Sequence, residues 1–224
     1  MPTAKGGRQR AQAACGHGPK PRASHAVACL CIKFTQNKKS KKMKVKIDGK
    51  DYDVVKIGNQ SWLAKNFRNS ASEELLTWHE AAEFAEKHDC FRLPTDADWL
   101  ELKNWVKGKF PTQSEGSVLK DSSWGGSKGV CEKCRFLASP AGYIFTNQSK
   151  VMDSGKYAFF WSADDLGHKD QTHCWCLDGN EDVLYQATFP KTVKMAVRYL
   201  VDPTKVPDNK GGNVYFLSQI PLRG

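Results

Sequence analysis

From Lys44 the chain alternates apolar and polar positions, with Val45 and Ile47 ahead of Asp48-Gly49 and Tyr52, Val54 and Ile57 after it. An Asp-Gly pair between two alternating runs marks a two-residue hairpin turn, because both central residues take positive φ there. The body is therefore predicted to open on a β-hairpin, followed by a strand over Gln60-Ser61-Trp62-Leu63-Ala64. Two helices are signalled by the chemistry of their starts. Thr77 precedes Glu80, and Thr95 precedes Asp98, each by three positions. In such a pair the hydroxyl and the carboxylate satisfy amides that have no partner inside the helix. Trp78, Ala81, Ala82 and Ala85 then form a helical stripe to about His88, and Trp99, Leu102 and Val106 form another that should stop near Gly108.

Beyond residue 116 the period shortens. Apolar and aromatic runs at 158–162, 172–177, 183–189 and 193–201 alternate with Gly- and Ser-rich stretches, with Asp178-Gly179-Asn180 as a turn. Strands, two helices and then short, mostly antiparallel strands define an α+β domain over residues 44–203, whose first and last strands are expected to pair. Trp62, Trp99, Trp105 and Trp161 fall at core positions, while the place of Trp124 stays open. Arg198 alternates with apolar neighbours and is expected to pair internally, as a structural residue.

Charge changes the picture of the chain's ends. The formal net charge is +10, but residues 1–42 hold ten of the 34 basic side chains and none of the 24 acidic ones, so the remainder is formally neutral. A basic stripe on the folded body, which nucleic-acid binding would need, is not expected. Residues 1–43 read as a basic, disordered leader, with Met43 as an alternative initiator. The one apolar run in it, residues 26–32, is too short and too late for a secretion signal, although Cys29 behind Ala26-Val27-Ala28 faintly resembles a lipoprotein cleavage box. No transmembrane segment is expected, and residues 204–224 read as a C-terminal tail.

Five of the eight cysteines, Cys90, Cys131, Cys134, Cys174 and Cys176, lie in the body. The odd number rules out a fully paired disulfide framework there. Cys131-x-x-Cys134 has zinc-knuckle spacing, and Cys174-x-Cys176 on a strand would point both thiols to one face, so four thiolates could surround one zinc, with His173 as a spare ligand. A disulfide or redox pair, and inert buried thiols, compete with that reading. No cofactor is favoured.

Five blocks carry a family resemblance: Gly58-Asn59-Gln60-Ser61-Trp62-Leu63 within 54–67, Phe91-Arg92-Leu93-Pro94-Thr95 within 91–99, Ser139-Pro140-Ala141-Gly142-Tyr143 within 136–143, Ala158-Phe159-Phe160-Trp161-Ser162 within 157–162, and Met195-Ala196-Val197-Arg198-Tyr199 within 195–200. In this order they resemble the Fibrobacter succinogenes major paralogous domain. The resemblance implies a C-type-lectin-like fold, similar to that of formylglycine-generating enzymes and retroelement variable receptor proteins. It also implies a bacterial, extracellular or cell-surface setting and no established reaction. Fold analogy alone does not license a function.

The residues that calcium-dependent lectins use are missing: Trp175-Cys176-Leu177-Asp178 offers a thiol and an aliphatic group where oxygen ligands should stand. Asp164, Asp165, Asp170, Asp178, Glu181 and Asp182 could converge on a cation, but loop acids are more often turn formers. The enzymatic rival is a copper oxidase of formylglycine-generating type at the cysteines, whose spacing does not match that family's pair. With Cys174 and Cys176 inward, Trp175 and Leu177 would face out beside Tyr185 as an aromatic platform next to the Asp164 loop; alternatively these rings pack under the loops between 116 and 157. The reading is a non-catalytic recognition or surface-display module for a protein or carbohydrate, with Asp164, Trp175 and Tyr185 as ligand contacts.

Overall fold

The computed structural model describes residues 43–68, 75–124 and 134–206. Residues 1–42, Cys131 and the tail from residue 207 lie outside them; Met43, expected to end the leader, instead opens the first strand. Strands β1 (Met43–Ile47) and β2 (Lys50–Ile57) pair antiparallel in the expected hairpin, and Asp48 and Gly49 at its tip take φ of 49° and 77°. β3 (Gln60–Leu63) continues the meander. After β4 (Leu75–Leu76), helix α1 (Trp78–Lys87) starts on a complete Thr77/Glu80 capping box; β5 (Phe91–Arg92) follows, and α2 (Asp96–Lys109) starts on the same device made by Thr95 and Asp98.

A third helix, α3 (Glu115–Leu119), corrects the expectation of two. It is a single turn and a half, too short to show a periodic stripe. It seats itself through Gly116, whose N–H donates to the Asp182 carbonyl at 2.7 Å, and a Cβ on Gly116 would lie 2.6 Å from the Asp182 Cα. The remaining strands are β6 (Tyr143–Ile144), β7 (Tyr157–Asp165), β8 (Gln171–Asp178), β9 (Leu184–Pro190), β10 (Lys194–Ala196) and β11 (Leu200–Val201).

The strands form two sheets, one ordered β1-β2-β3-β11-β5, the other β4-β10-β7-β8-β9 with β6 also on β10. All ladders are antiparallel except β10 on β7. The architecture is α+β. Closure differs from expectation, since the last strand pairs with β3 and β5, not with β1. The run at 193–201 is also two strands and not one. Between them Val197 and Tyr199 turn their carbonyls to the Phe67 and Leu63 amides, at 2.8 and 3.0 Å.

Each sheet separates two apolar clusters. On one side Cys174, Cys176, Phe159 and Trp161 pack with Met195, Tyr199, Phe67 and helix α1. On the other, Trp175, Leu177 and Phe160 pack with Trp62, Trp99, Leu102, Cys134 and Phe136. Trp62, Trp99 and Trp161 are fully buried, as is Trp124, whose indole N–H donates to the Ala138 carbonyl; Trp105 is half-buried at the edge.

Arg198 sits in the gap between β10 and β11 and is fully buried. Its Nη1 donates to the carbonyls of Leu63 (2.9 Å) and Phe136 (2.5 Å), and its Nη2 to Asn66 Oδ1 (2.8 Å) and the Leu137 carbonyl (3.3 Å). The guanidinium also lies 4.3 Å from the centre of the Phe136 ring. A buried cation needs such a set of acceptors, because its lost hydration must be replaced. Replacing it by Met would strand those acceptors and should cost roughly 3–5 kcal/mol in urea denaturation, against about 1 kcal/mol for Met at Arg92, an exposed partner of Asp98. Equal losses for the two variants would show that Arg198 does not hold these segments.

Candidate functional site

Strand alternation decides what meets at the first turn of α2. On β7 the residues Phe160, Ser162 and Asp164, and on β8 His173, Trp175 and Leu177, share the face turned to α2. Gln186 of β9 stands opposite Trp175 and joins them. Of these, Ser162, Asp164, His173, Trp175 and Gln186 converge on Asp96, the first residue of α2. Its Oδ1 accepts from Ser162 Oγ and Trp175 Nε1, both at 2.8 Å. Its Oδ2 accepts from His173 Nδ1 at 2.5 Å and Gln186 Nε2 at 2.6 Å. The Asp96 N–H donates to Asp164 Oδ2 at 2.5 Å, and the Thr172 hydroxyl donates to the Asp164 carbonyl at 2.5 Å.

Burial alone would push the Asp96 carboxyl up, but donation from Trp175, Ser162, His173 and Gln186 outweighs it and holds the group below the usual carboxylate range. The carboxylate also favours the helix N-terminus electrostatically. The side chains of Asp96 and His173 are 19% and 22% exposed, so the rim of this network reaches water. Gln186 and Thr188 of β9 are exposed beside it, as are Ala97 and, one turn on, Leu100 of α2.

Two of the three expected ligand residues therefore meet here, through a hub that the sequence reading did not single out. Asp164 braces the Asp96 amide. Trp175 donates to the Asp96 carboxylate from inside the fold: it is 3% exposed, stacked 6.2 Å from Trp99, so the expected outward platform is corrected. The reason is that β8 is covered on both faces, and inward cysteines do not force the opposite face outward. Tyr185 is not part of the cluster. It lies on the other face, opposite Cys176, half-buried in the first apolar cluster. A signal for Asp96 did exist. An indole on a buried strand requires an acceptor, and an acid in the first turn of a capped helix is a ready one.

Among the described residues the cysteines do not assemble. Cys174 and Cys176 point into one apolar cluster and Cys134 into the other, across the sheet, so these three cannot share a metal; Cys131 lies outside the described residues. Among the described residues no group of three or more His, Cys, Asp or Glu is placed to hold a metal ion. Cys90, Cys134, Cys174 and Cys176 are all buried. Burial pushes the Cys176 thiol up to about 12, and Cys174 is raised further, first by burial and then by Cys176 and Asp96. The loop acids also disperse: Asp165 pairs with Lys191 at 2.7 Å, Asp178 Oδ1 accepts from the Asn180 amide, and Asp182 pairs with the buried Lys120.

Residues 89–200 match the Fibrobacter succinogenes major domain, and the chain belongs to that family. The match takes in four of the five blocks; the opening one, at 54–67, lies outside it. No curated protein and no solved structure matches the chain. No helix among the described residues is long and apolar enough to cross a membrane.

Two predictions follow from the geometry. Asp96→Asn leaves donors facing an amide and should cost about 1–3 kcal/mol at pH 7 in urea denaturation. Because the folded carboxyl is depressed, its stabilisation is complete above the ordinary value of about 3.9 and is lost as pH falls through the lower folded value, so the two proteins should converge in stability as the pH is lowered past it. For the thiols, Cys174→Ser and Cys176→Ser should leave the count titrated by Ellman's reagent in the native chain unchanged and lower it by one each after unfolding. A native thiolate that reacts in seconds at either position would contradict the burial described.

Proposed function

We propose that this chain is a non-catalytic recognition module for a protein or carbohydrate ligand, of C-type-lectin-like fold, acting in an extracellular or cell-surface setting. Its contact face is the rim of the Asp96 network, formed by His173, Gln186 and Thr188 with Leu100 beside them. The observation that carries this reading is the saturation of Asp96 by four donors. That carboxylate has no lone pair left for a substrate proton, and it holds the imidazole and the amide in fixed orientations at the surface. Preorganised polar groups beside an apolar side chain suit binding, since little side-chain entropy is lost on contact.

Acid-base or nucleophilic chemistry finds less support. The Ser162 hydroxyl is buried and donates to Asp96, not to His173, so the order needed to activate a serine is missing. The buried thiols with raised pKa are poor nucleophiles. Neither the zinc nor the oxidase alternative draws support from Cys134, Cys174 and Cys176, which face different clusters.

The test is to probe the full chain against a glycan microarray and a displayed peptide library, with Gln186→Ala and Leu100→Asp in parallel. A ligand whose binding falls about ten-fold or more in either variant, at unchanged melting temperature, supports the reading. Ligands indifferent to both variants, or conversion of a bound compound to product, would overturn it.

A further inference from the structure

Helix α1 ends on a histidine whose two ring nitrogens both face oxygens that can only accept. His88 is the C-cap of α1. Its Nδ1 lies 2.9 Å from the Phe84 carbonyl, one of the last four of the helix, which have no partner inside it. Its Nε2 lies 3.1 Å from Asp48 Oδ2 at the tip of the opening hairpin. A carbonyl and a carboxylate offer no proton, so each contact is a hydrogen bond only when the nitrogen itself carries one. Neutral imidazole has a single N–H. It can serve the helix or the hairpin, and the other nitrogen then turns a lone pair towards an oxygen lone pair. Only the imidazolium serves both.

Two further features favour the charged ring. The end of α1 carries the negative pole of the helix dipole. The ring also stacks on Phe84, with centroids 4.2 Å apart, close enough for a cation to be drawn to the aromatic face. The neighbouring charges leave this joint intact. Lys87 is paired with Glu83 at 2.7 Å, and Asp89, next in the chain, adds a second negative charge. On the hairpin, the Tyr52 hydroxyl is pushed up by burial and then by Asp48, so it stays neutral. Beyond Asp89, Asp202 is engaged with Thr204. Lys50 and Asp51, just past the hairpin tip, line a cleft of about 730 Å³ together with Leu137 and Ser139, so what holds the tip also holds part of that wall.

We propose that His88 and Asp48 form a proton-operated latch between α1 and the opening hairpin, closed in mildly acidic solution and open once the ring is neutral. Closure needs an ionised carboxylate and a protonated ring. Aspartates ordinarily titrate near about 3.9 and histidines near about 6.5, so the latch is closed between those values and weakens on either side. As pH rises through the histidine range, the Nε2 proton leaves to solvent, because Asp48 is 72% exposed, while the Nδ1 proton stays on the half-buried helix carbonyl. Asp48 then faces a lone pair. The strands remain paired in both states, since Val45, Ile47 and Val54 anchor them in the first apolar cluster; only the tip is released. The latch and the α2 face do not depend on one another.

The experiment is amide hydrogen exchange of the full chain at about pH 5.5 and about pH 8, on either side of the ordinary histidine value, with rates corrected for their intrinsic pH dependence. In the wild type, residues 46–51 should be about two- to five-fold better protected at the lower pH, and about 1 M salt should remove the excess, as for any exposed ion pair. Asp48→Asn keeps a residue suited to positive φ and offers the ring both a donor and an acceptor, so its tip should fold and show equal protection at the two pH values. His88→Gln should behave alike. Equal tip protection at both pH values in the wild type, or a pH dependence that survives in both variants, would overturn the proposal.

Discussion

A single buried guanidinium ties together the end of β3, Asn66 and the loop at 136–137. Arg198 occupies the two-strand gap where the closing segment leaves the six-stranded sheet and joins the five-stranded one. Its acceptors come from the end of β3, from Asn66 and from the loop at 136–137. An arginine suits this position because its planar fork can serve several acceptors at once, where a lysine would present one compact charge. The main-chain bonds of Val197 and Tyr199 to Phe67 and Leu63 run beside it, so cation and backbone act on the same joint.

With the two sheets joined there, β7 and β8 are covered on both faces, and period-two alternation assigns every side chain on them to one apolar cluster or the other. This explains why Cys174 and Cys176 sit apart from Cys134, and why Trp175 is internal. It also explains the hub at Asp96. An indole, a buried serine hydroxyl and an imidazole emerge on one face of the sheet, and each needs an acceptor once water is excluded. The capping box fixes where α2 begins, and so places one carboxylate within reach of all of them.

Much of the fold was legible before any coordinates. The Asp48-Gly49 turn and the Thr77/Glu80 and Thr95/Asp98 boxes are local devices whose chemistry is complete within a few residues, and each stands where expected. The internal pairing of Arg198 was legible for a related reason, since a cation between apolar neighbours on a closing strand has nowhere to go but inward. What sequence reasoning lost depends on neighbours far along the chain. Whether the second face of β8 is solvent or core is set by α2, some 80 residues earlier, and alternation alone gives two faces without saying which is wet. For the same reason the thiol spacing suggested a cluster that the sheet divides, and Tyr185 was placed beside Trp175 although the register puts it opposite Cys176. Helix α3 was missed because it is too short to show a periodic stripe, and the contact that seats it, Gly116 on Asp182, lies far along the chain.

The acids of the domain divide according to how far their lone pairs are used. Asp96 has four side-chain donors, and Asp98 accepts from Arg92, Thr95 and Gln60. Both are spent on holding α2 against the sheets, and hydrogen bonding keeps both below the ordinary carboxylate range although burial opposes it. Such groups build a rigid support and have little left to offer a ligand. Asp53 is different in kind. It lies on β2 between Tyr52 and Val54, which pack on the first apolar cluster, and one of its oxygens is shielded without a donor among the described residues.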